Sequence, residues 1–298
     1  MQDLTDAFVE LIRRTATDLA PDMESSLAEA REQEEPGSAA EGALDTILQN
    51  VALAREKSTP ICQDTGTPIF EVYYPLGWST RKLADQIRTA CATATAQAYL
   101  RPNAVDSLTG ENSGDNTGID FPTMHFHEWE NDFVKVDLML KGGGCENVGA
   151  QYAIPDARLK AGRDLEGVRR VALDAVQQAQ GKGCAPGVLG IAVGGDRGTG
   201  YTRSKIQLFR EIGDQSPNPE LAELEQTIKD QANELGIGPM GFGGRTTILD
   251  VQMDVMHRLP ASYFVSVSYM CWANRRRSML VRPKEREGAM PGWEVIYQ

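Results

Sequence analysis

The sequence predicts an α/β or α+β protein, with mixed sheet regions surrounded by helices and a helical N-terminal section over about 1–57. Three observations carry that expectation. Long stretches repeat apolar residues at helical spacing, shorter stretches run or alternate as strands do, and Gly- and Pro-rich turns separate them. No linker, repeat or low-complexity tract interrupts the 298 residues, so one mixed domain over 1–298 is the simplest division.

Leu4, Phe8, Leu11 and Ile12 predict a helix over 1–20. The Glu-, Gln-, Ser- and Pro-rich stretch 23–38 reads as a polar helix or a loop. A helix over 41–56 places Leu44, Ile47, Leu48 and Val51 on one face, and Ser58-Thr59-Pro60 stops it. Residues 61–66 read as a loop and 69–74 as a strand ended by Pro75-Leu76-Gly77. Ser79 or Thr80 caps a helix over 81–99 whose apolar face carries Leu83, Ile87, Cys91 and Ala94. The polar stretch from Arg101 to Gly118 reads as a long loop, and loops of that length usually carry function or mobility.

His125 and Phe126 fall near the end of a strand, with His125 and His127 on a shared side. That pair reads best as a solvent or subunit contact. Residues 133–140 alternate as a strand and run into Gly142-Gly143-Gly144, which reads as a turn whose amides form an anion-binding nest. A helix follows over 164–180, then a buried glycine-rich strand over 187–195. Asn218-Pro219 opens another helix, with Leu221, Leu224, Ile228 and Leu235 as its stripe. Strands over about 246–254 and 263–270 precede a tail that is basic at Arg275-Arg276-Arg277 and then punctuated by Pro and Gly.

Lys plus Arg number 30 and Asp plus Glu 42, a formal charge of −12, which argues against a general nucleic-acid or anionic-membrane binder. No stretch approaches the roughly eighteen apolar residues of a membrane span, and the acidic start is the wrong chemistry for a signal peptide. Five cysteines in a chain too long to need disulfide staples point to a reducing, cytoplasmic setting. Cys91 sits on an apolar helix face and reads as packing, and Cys145 follows the glycine triplet. Cys62, Cys184 and Cys271 instead sit at the mouths of three different elements, where ligands gather in α/β proteins. Three such thiolates suit zinc, an iron–sulfur cluster, or no common site at all.

Seven words narrow the choice. Cys62-Gln63-Asp64-Thr65-Gly66, Arg101-Pro102-Asn103-Ala104-Val105-Asp106, Ser113-Gly114-Asp115-Asn116-Thr117 and Lys141-Gly142-Gly143-Gly144-Cys145-Glu146-Asn147 come first. Cys184-Ala185-Pro186-Gly187 with Gly194-Gly195, Gly236 to Gly244, and Cys271-Trp272-Ala273 follow in order. Together they resemble the class I fumarate hydratase family of iron–sulfur hydro-lyases, which includes tartrate dehydratases, in its alpha subunit or N-terminal catalytic domain. The resemblance spans nearly the whole chain.

That resemblance implies a fold of the class I fumarase alpha-domain type. It also implies a [4Fe-4S] cluster on Cys62, Cys184 and Cys271, with one iron open to substrate. By the same resemblance, Asp64 handles the proton of the water or hydroxyl group, Gln63 hydrogen-bonds the substrate and Arg101 clamps a carboxylate. Gly143 and Gly144 offer substrate contact, and His257 falls near a family histidine that touches substrate. Locally, Asp64 can equally order its own turn, and Arg101 can pair with Asp106. The base for the carbon-bound proton lies, in the family, on a second domain absent from these residues. A separate beta subunit in an alpha2beta2 assembly is therefore expected. Fumarate and malate are the leading substrates. Tartrate or mesaconate, and a non-catalytic iron–sulfur protein, are the alternatives.

Overall fold

The computed structural model describes residues 2–284 and 292–298. In chain order its helices are α1 (Thr5–Thr17), α2 (Pro21–Gln33), α3 (Ala39–Lys57), α4 (Thr80–Ala96), α5 (Gly143–Asn147), α6 (Leu165–Ala179), α7 (Arg197–Gln207) and α8 (Pro219–Glu234). The strands are β1 (Thr67–Pro75), β2 (Thr123–Trp129), β3 (Val134–Lys141), β4 (Ala150–Ala153), β5 (Gly187–Val193), β6 (Ile248–Val255), β7 (Phe264–Met270), β8 (Arg275–Lys284) and β9 (Gly292–Tyr297). The polar stretch after Ala20 is the helix α2 rather than a loop. The mixed α/β content and the helical N-terminal section agree with the sequence. The Pro- and Gly-punctuated part of the tail at 285–291 lies outside the described residues. No described helix is long and apolar enough to cross a membrane.

The chain divides into two compact units. The first comprises Met1–Ala20, Asn50–Lys141 and Arg275–Gln298. Its sheet runs β2-β1-β3-β8-β9, with β1 and β2 parallel and the other neighbours antiparallel. Alternation sorts its residues. Phe70, Val72, Val136, Leu138, Leu140, Met279 and Val281 face one core with Phe8, Leu11 and Ile12 of α1 and Leu83, Ile87 and Cys91 of α4. Ser79 caps α4 by accepting from the Lys82 amide.

The second unit comprises Pro21–Gln49 and Gly142–Asn274. Its sheet runs β4-β7-β5-β6, parallel only between β5 and β6. Val168, Val171 and Val176 of α6 and Ile228 of α8 pack on Leu189, Ile191, Val251, Val267 and Tyr269. Asp196 caps α7, a helix the periodicity does not announce, through the Gly198 and Thr199 amides. The triple-arginine run is the opening of strand β8, not a surface tail.

Candidate active site

In the first unit the loop before β1 is held at its start by two bonds. The Ile61 amide donates to the Ala16 carbonyl (3.0 Å), and Asn50 Nδ2 donates to the Ile61 carbonyl (2.8 Å). Cys62 and Asp64 are then half-buried and Gln63 is exposed. Gly66 fixes the loop's end. Its φ of +79° lies in the left-handed region, and a Cβ there would come within 2.7 Å of the Lys141 carbonyl carbon. The Gly66 amide donates to Asp64 Oδ1 (3.1 Å), so Asp64 does order its own turn.

Three separated words meet on this loop. Buried Thr65 Oγ1 accepts from the Arg101 amide (3.1 Å) and from Asn103 Nδ2 (2.9 Å). Arg101 Nη1 donates to the Gln63 carbonyl (3.1 Å). Asn116, at a φ of +61°, accepts from the Asn103 amide (2.7 Å) and donates to the Arg101 carbonyl (2.7 Å) and Thr95 Oγ1 (2.9 Å). The alternative pairing of Arg101 with Asp106 is not what the structure records. Asp106 instead accepts from the Leu108 and Thr109 amides, and those bonds hold its carboxyl below the usual range. The result is a rigid platform with the exposed Arg101 and Gln63 beside Asp64 and Cys62.

In the second unit, Cys184 follows a short 3-10 turn in the left-handed region (φ +54°), and Cys271 follows β7. Strands β5 and β7 are antiparallel with Val188 opposite Met270, so the two cysteines share one end of the sheet. The Trp272 amide donates to the Cys184 carbonyl (3.3 Å) and joins the two segments. Tyr269 lies buried beneath them, against glycines. A Cβ on Gly187 or Gly183 would come within 2.3 or 2.5 Å of its ring. Burial pushes the Tyr269 phenol up, and the neighbouring Cys271, Cys145 and Cys184 push it further the same way. Cys145 Sγ accepts the Cys271 amide (3.3 Å), so this cysteine supports the segment carrying Cys271.

Gly143 and Gly144 open a short helix rather than a turn. Gly142 is extended and Gly143–Asn147 is a single helical segment, α5. Glu146 of that segment pairs with Lys205 of α7 (2.5 Å), a contact that sequence reading missed because α7 itself was missed. His257 does not reach Cys184 and Cys271. It is exposed, and its carbonyl accepts from the Gly195 amide (3.1 Å) at the Val193–Val255 end of the sheet. The cysteines lie at the Gly187 end, a strand length away, about 20 Å at ~3.3 Å per residue. The whole of β7 separates His257 from Cys271 along the chain.

His125 and His127 share a partner that the sequence did not reveal. Their Nδ1 and Nε2 atoms lie 2.6 and 2.7 Å from the two oxygens of buried Glu71 on the neighbouring β1. A charged residue at the centre of an apolar strand was the available signal. Among the described residues, no three His, Cys, Asp or Glu side chains form a ready-made metal-ligand set.

Comparison with known proteins agrees with this arrangement of words. A family model described as fumarate hydratase (Fumerase) matches residues 5–280. A Geobacillus stearothermophilus protein named a putative fumarate hydratase class I is 48% identical over 290 residues, which are 96% of this chain but 56% of that protein. The chain thus spans little more than half of that relative's length. A Methanocaldococcus jannaschii protein named a putative L(+)-tartrate dehydratase subunit alpha is 34% identical, over 92% of this chain and 95% of its own. The L(+)-tartrate dehydratase subunit alpha of Escherichia coli K12 is 32% identical, over 79% and 77%. The chain belongs to the fumarate hydratase (Fumerase) family.

Proposed function

We infer that the chain is the alpha part of a hydro-lyase that reversibly adds water to fumarate to give malate, with 1–298 acting as one functional piece. The observation that carries this reading is the platform of the first unit, where Thr65 and Asn116 hold Arg101 and Gln63 beside Asp64 and Cys62. Arg101 offers a planar pair of donors for a substrate carboxylate. Gln63 orients the substrate, and Asp64 exchanges the proton of the water or departing hydroxyl group. The backbone at Gly143 and Gly144 contributes further contact. His257, at the far end of its sheet, is left out of this reading.

The cysteines fit an iron–sulfur group in donor chemistry. None of the five is in a disulfide, Cys184 and Cys271 stand together at loop positions, and Cys62 is half-buried in an irregular segment. Cys62, Cys184 and Cys271 would hold a [4Fe-4S] cluster whose open iron supplies Lewis acidity to the substrate oxygens. The base for the carbon-bound proton comes from a separate beta subunit, in an alpha2beta2 assembly, in a reducing cytoplasmic compartment. Tartrate is the second substrate to weigh, since two relatives carry the name of tartrate dehydratase subunit alpha.

The test is an anaerobic preparation of the chain with its beta subunit, assayed on fumarate, L(+)-tartrate and mesaconate with iron and labile sulfide counted. Turnover of fumarate fastest, with four irons per alpha chain, supports the reading. Faster turnover of tartrate moves the substrate, and no turnover on any dicarboxylate overturns the assignment.

A further inference from the structure

Arg275 is the largest fully buried side chain among the described residues, at 1% exposure, and its Nε and Nη1 have no hydrogen-bond partner. Buried guanidinium groups are ordinarily paired, because stranding the charge and its donors away from water is costly. Two residues along the same strand, Arg277 also has a buried Nε without a partner, but its charge is paired at the other end of the guanidinium. Its Nη2 donates to Asp18 Oδ2 (2.9 Å) and to the Leu19 carbonyl (2.6 Å). Neither bond has a counterpart at the Nε and Nη1 of Arg275.

The register says where these donors lie. Arg275 stands opposite Leu140 of β3, and Leu140 stands opposite Pro68 of β1. Directly paired residues project to the same face, so Arg275 is on the α1 side of the sheet, at the end where β1 begins. The chain entering β1 there is Cys62 to Gly66. Both neighbours are tied to the end of α1, Ile61 through the Ala16 carbonyl and β8 through Arg277 on Asp18 and Leu19. A permanently buried cation suits an equally resident anion better than a substrate that must come and go.

We propose that Arg275 is an anion-binding residue, whose unpartnered donors take the sulfur-borne negative charge of the group held at Cys62. This rests on the cofactor reading above. N–H groups directed at cluster sulfurs raise reduction potential and hold the cluster in place.

The test compares wild-type chain, Arg275→Met and Arg275→Lys, each complexed with the beta subunit, without and with reconstituted iron and sulfide. In the cluster-free protein, Arg275→Met raises the thermal midpoint, because it removes a stranded charge. On loading, the midpoint gain of the Met variant shrinks, its cluster decays several-fold faster, and its reduction potential falls. Arg275→Lys restores part of each. A Met variant less stable than wild type both with and without cluster, while its loading gain and potential are unchanged, makes Arg275 mere packing and overturns the proposal. If the wild-type protein takes up neither iron nor sulfide, the cofactor reading fails on that result alone. The cluster-free pair then decides Arg275: a Met variant no more stable than wild type overturns its role.

Discussion

Asn116 is the residue on which the platform turns, and Asn116→Ala puts a number on it. The substitution removes three hydrogen bonds, to the Asn103 amide, the Arg101 carbonyl and Thr95 Oγ1. At about 1 kcal/mol net each, that is about 3 kcal/mol. Alanine at a φ of +61° adds about 1 kcal/mol of strain that asparagine tolerates better. Water can reach the exposed Arg101 and the half-buried Asn103, which offsets part of the loss, so the expected cost is about 3 kcal/mol. For a domain of this size, ~2–4 °C per kcal/mol gives a fall in Tm of roughly 6–12 °C. Differential scanning calorimetry reads that shift. Steady-state kinetics should then show a raised KM for the dicarboxylate with iron content unchanged, because Arg101 loses its main-chain anchor. Ser107→Ala, on the exposed part of the same loop, is the control. A fall in Tm of under a degree, or a variant that loses its iron along with its substrate affinity, would refute the reasoning.

Ser replacements at Cys62, Cys184 or Cys271 should each abolish the cluster, read as iron and labile sulfide per chain. Cys91→Ser should retain it, because Cys91 is buried among apolar residues of the first core and that burial pushes its thiol up. Asp64→Asn should leave the iron count intact and lower kcat by at least 100-fold, consistent with loss of a proton-transfer group. Unchanged turnover removes Asp64 from the mechanism. The hydrogen bond from Arg13, with Arg14 adding to it, holds Glu10 down to about 2 against an ordinary 4.5. A depressed carboxyl stabilises the fold fully above its unfolded value and loses that contribution as pH falls through 4.5 towards 2. Urea unfolding should therefore show Glu10→Gln weaker than wild type at pH 6, with the gap closing across that window.

Most of the helices were legible because their signals are local. Ser79, Asp164 and Asn218 are side-chain caps, and each accepts from an amide of the first turn. Helix α7 was not legible. Its segment is glycine-bearing and polar, and its buried positions are Gly200, Ser204 and Gln207 rather than an apolar stripe. Strand β8 was hidden for the opposite reason, since three consecutive arginines describe a surface until β3 pairs alongside all three. The words of the site could be read, but not what they do for one another. That Thr65 would bind Arg101 and Asn103, or that Glu71 would bridge two histidines, depends on pairings across at least 36 residues. The separation of His257 from Cys271 was not legible either: seven of the intervening residues are the extended strand β7, which carries the chain from one end of the sheet to the other.

The order of strands in the first sheet has a consequence for how the chain is made. β8 sits between β3 and β9, yet residues 142–274 must be translated after β3 before β8 exists. At ribosomal speeds of ~5–20 residues per second, β3 waits on the order of ten seconds with an open apolar edge. Such an edge invites pairing with other nascent chains. Production from slowly translating messages, or from fragments ending at residue 274, should therefore yield aggregates in which the N-terminal half is the sticky part.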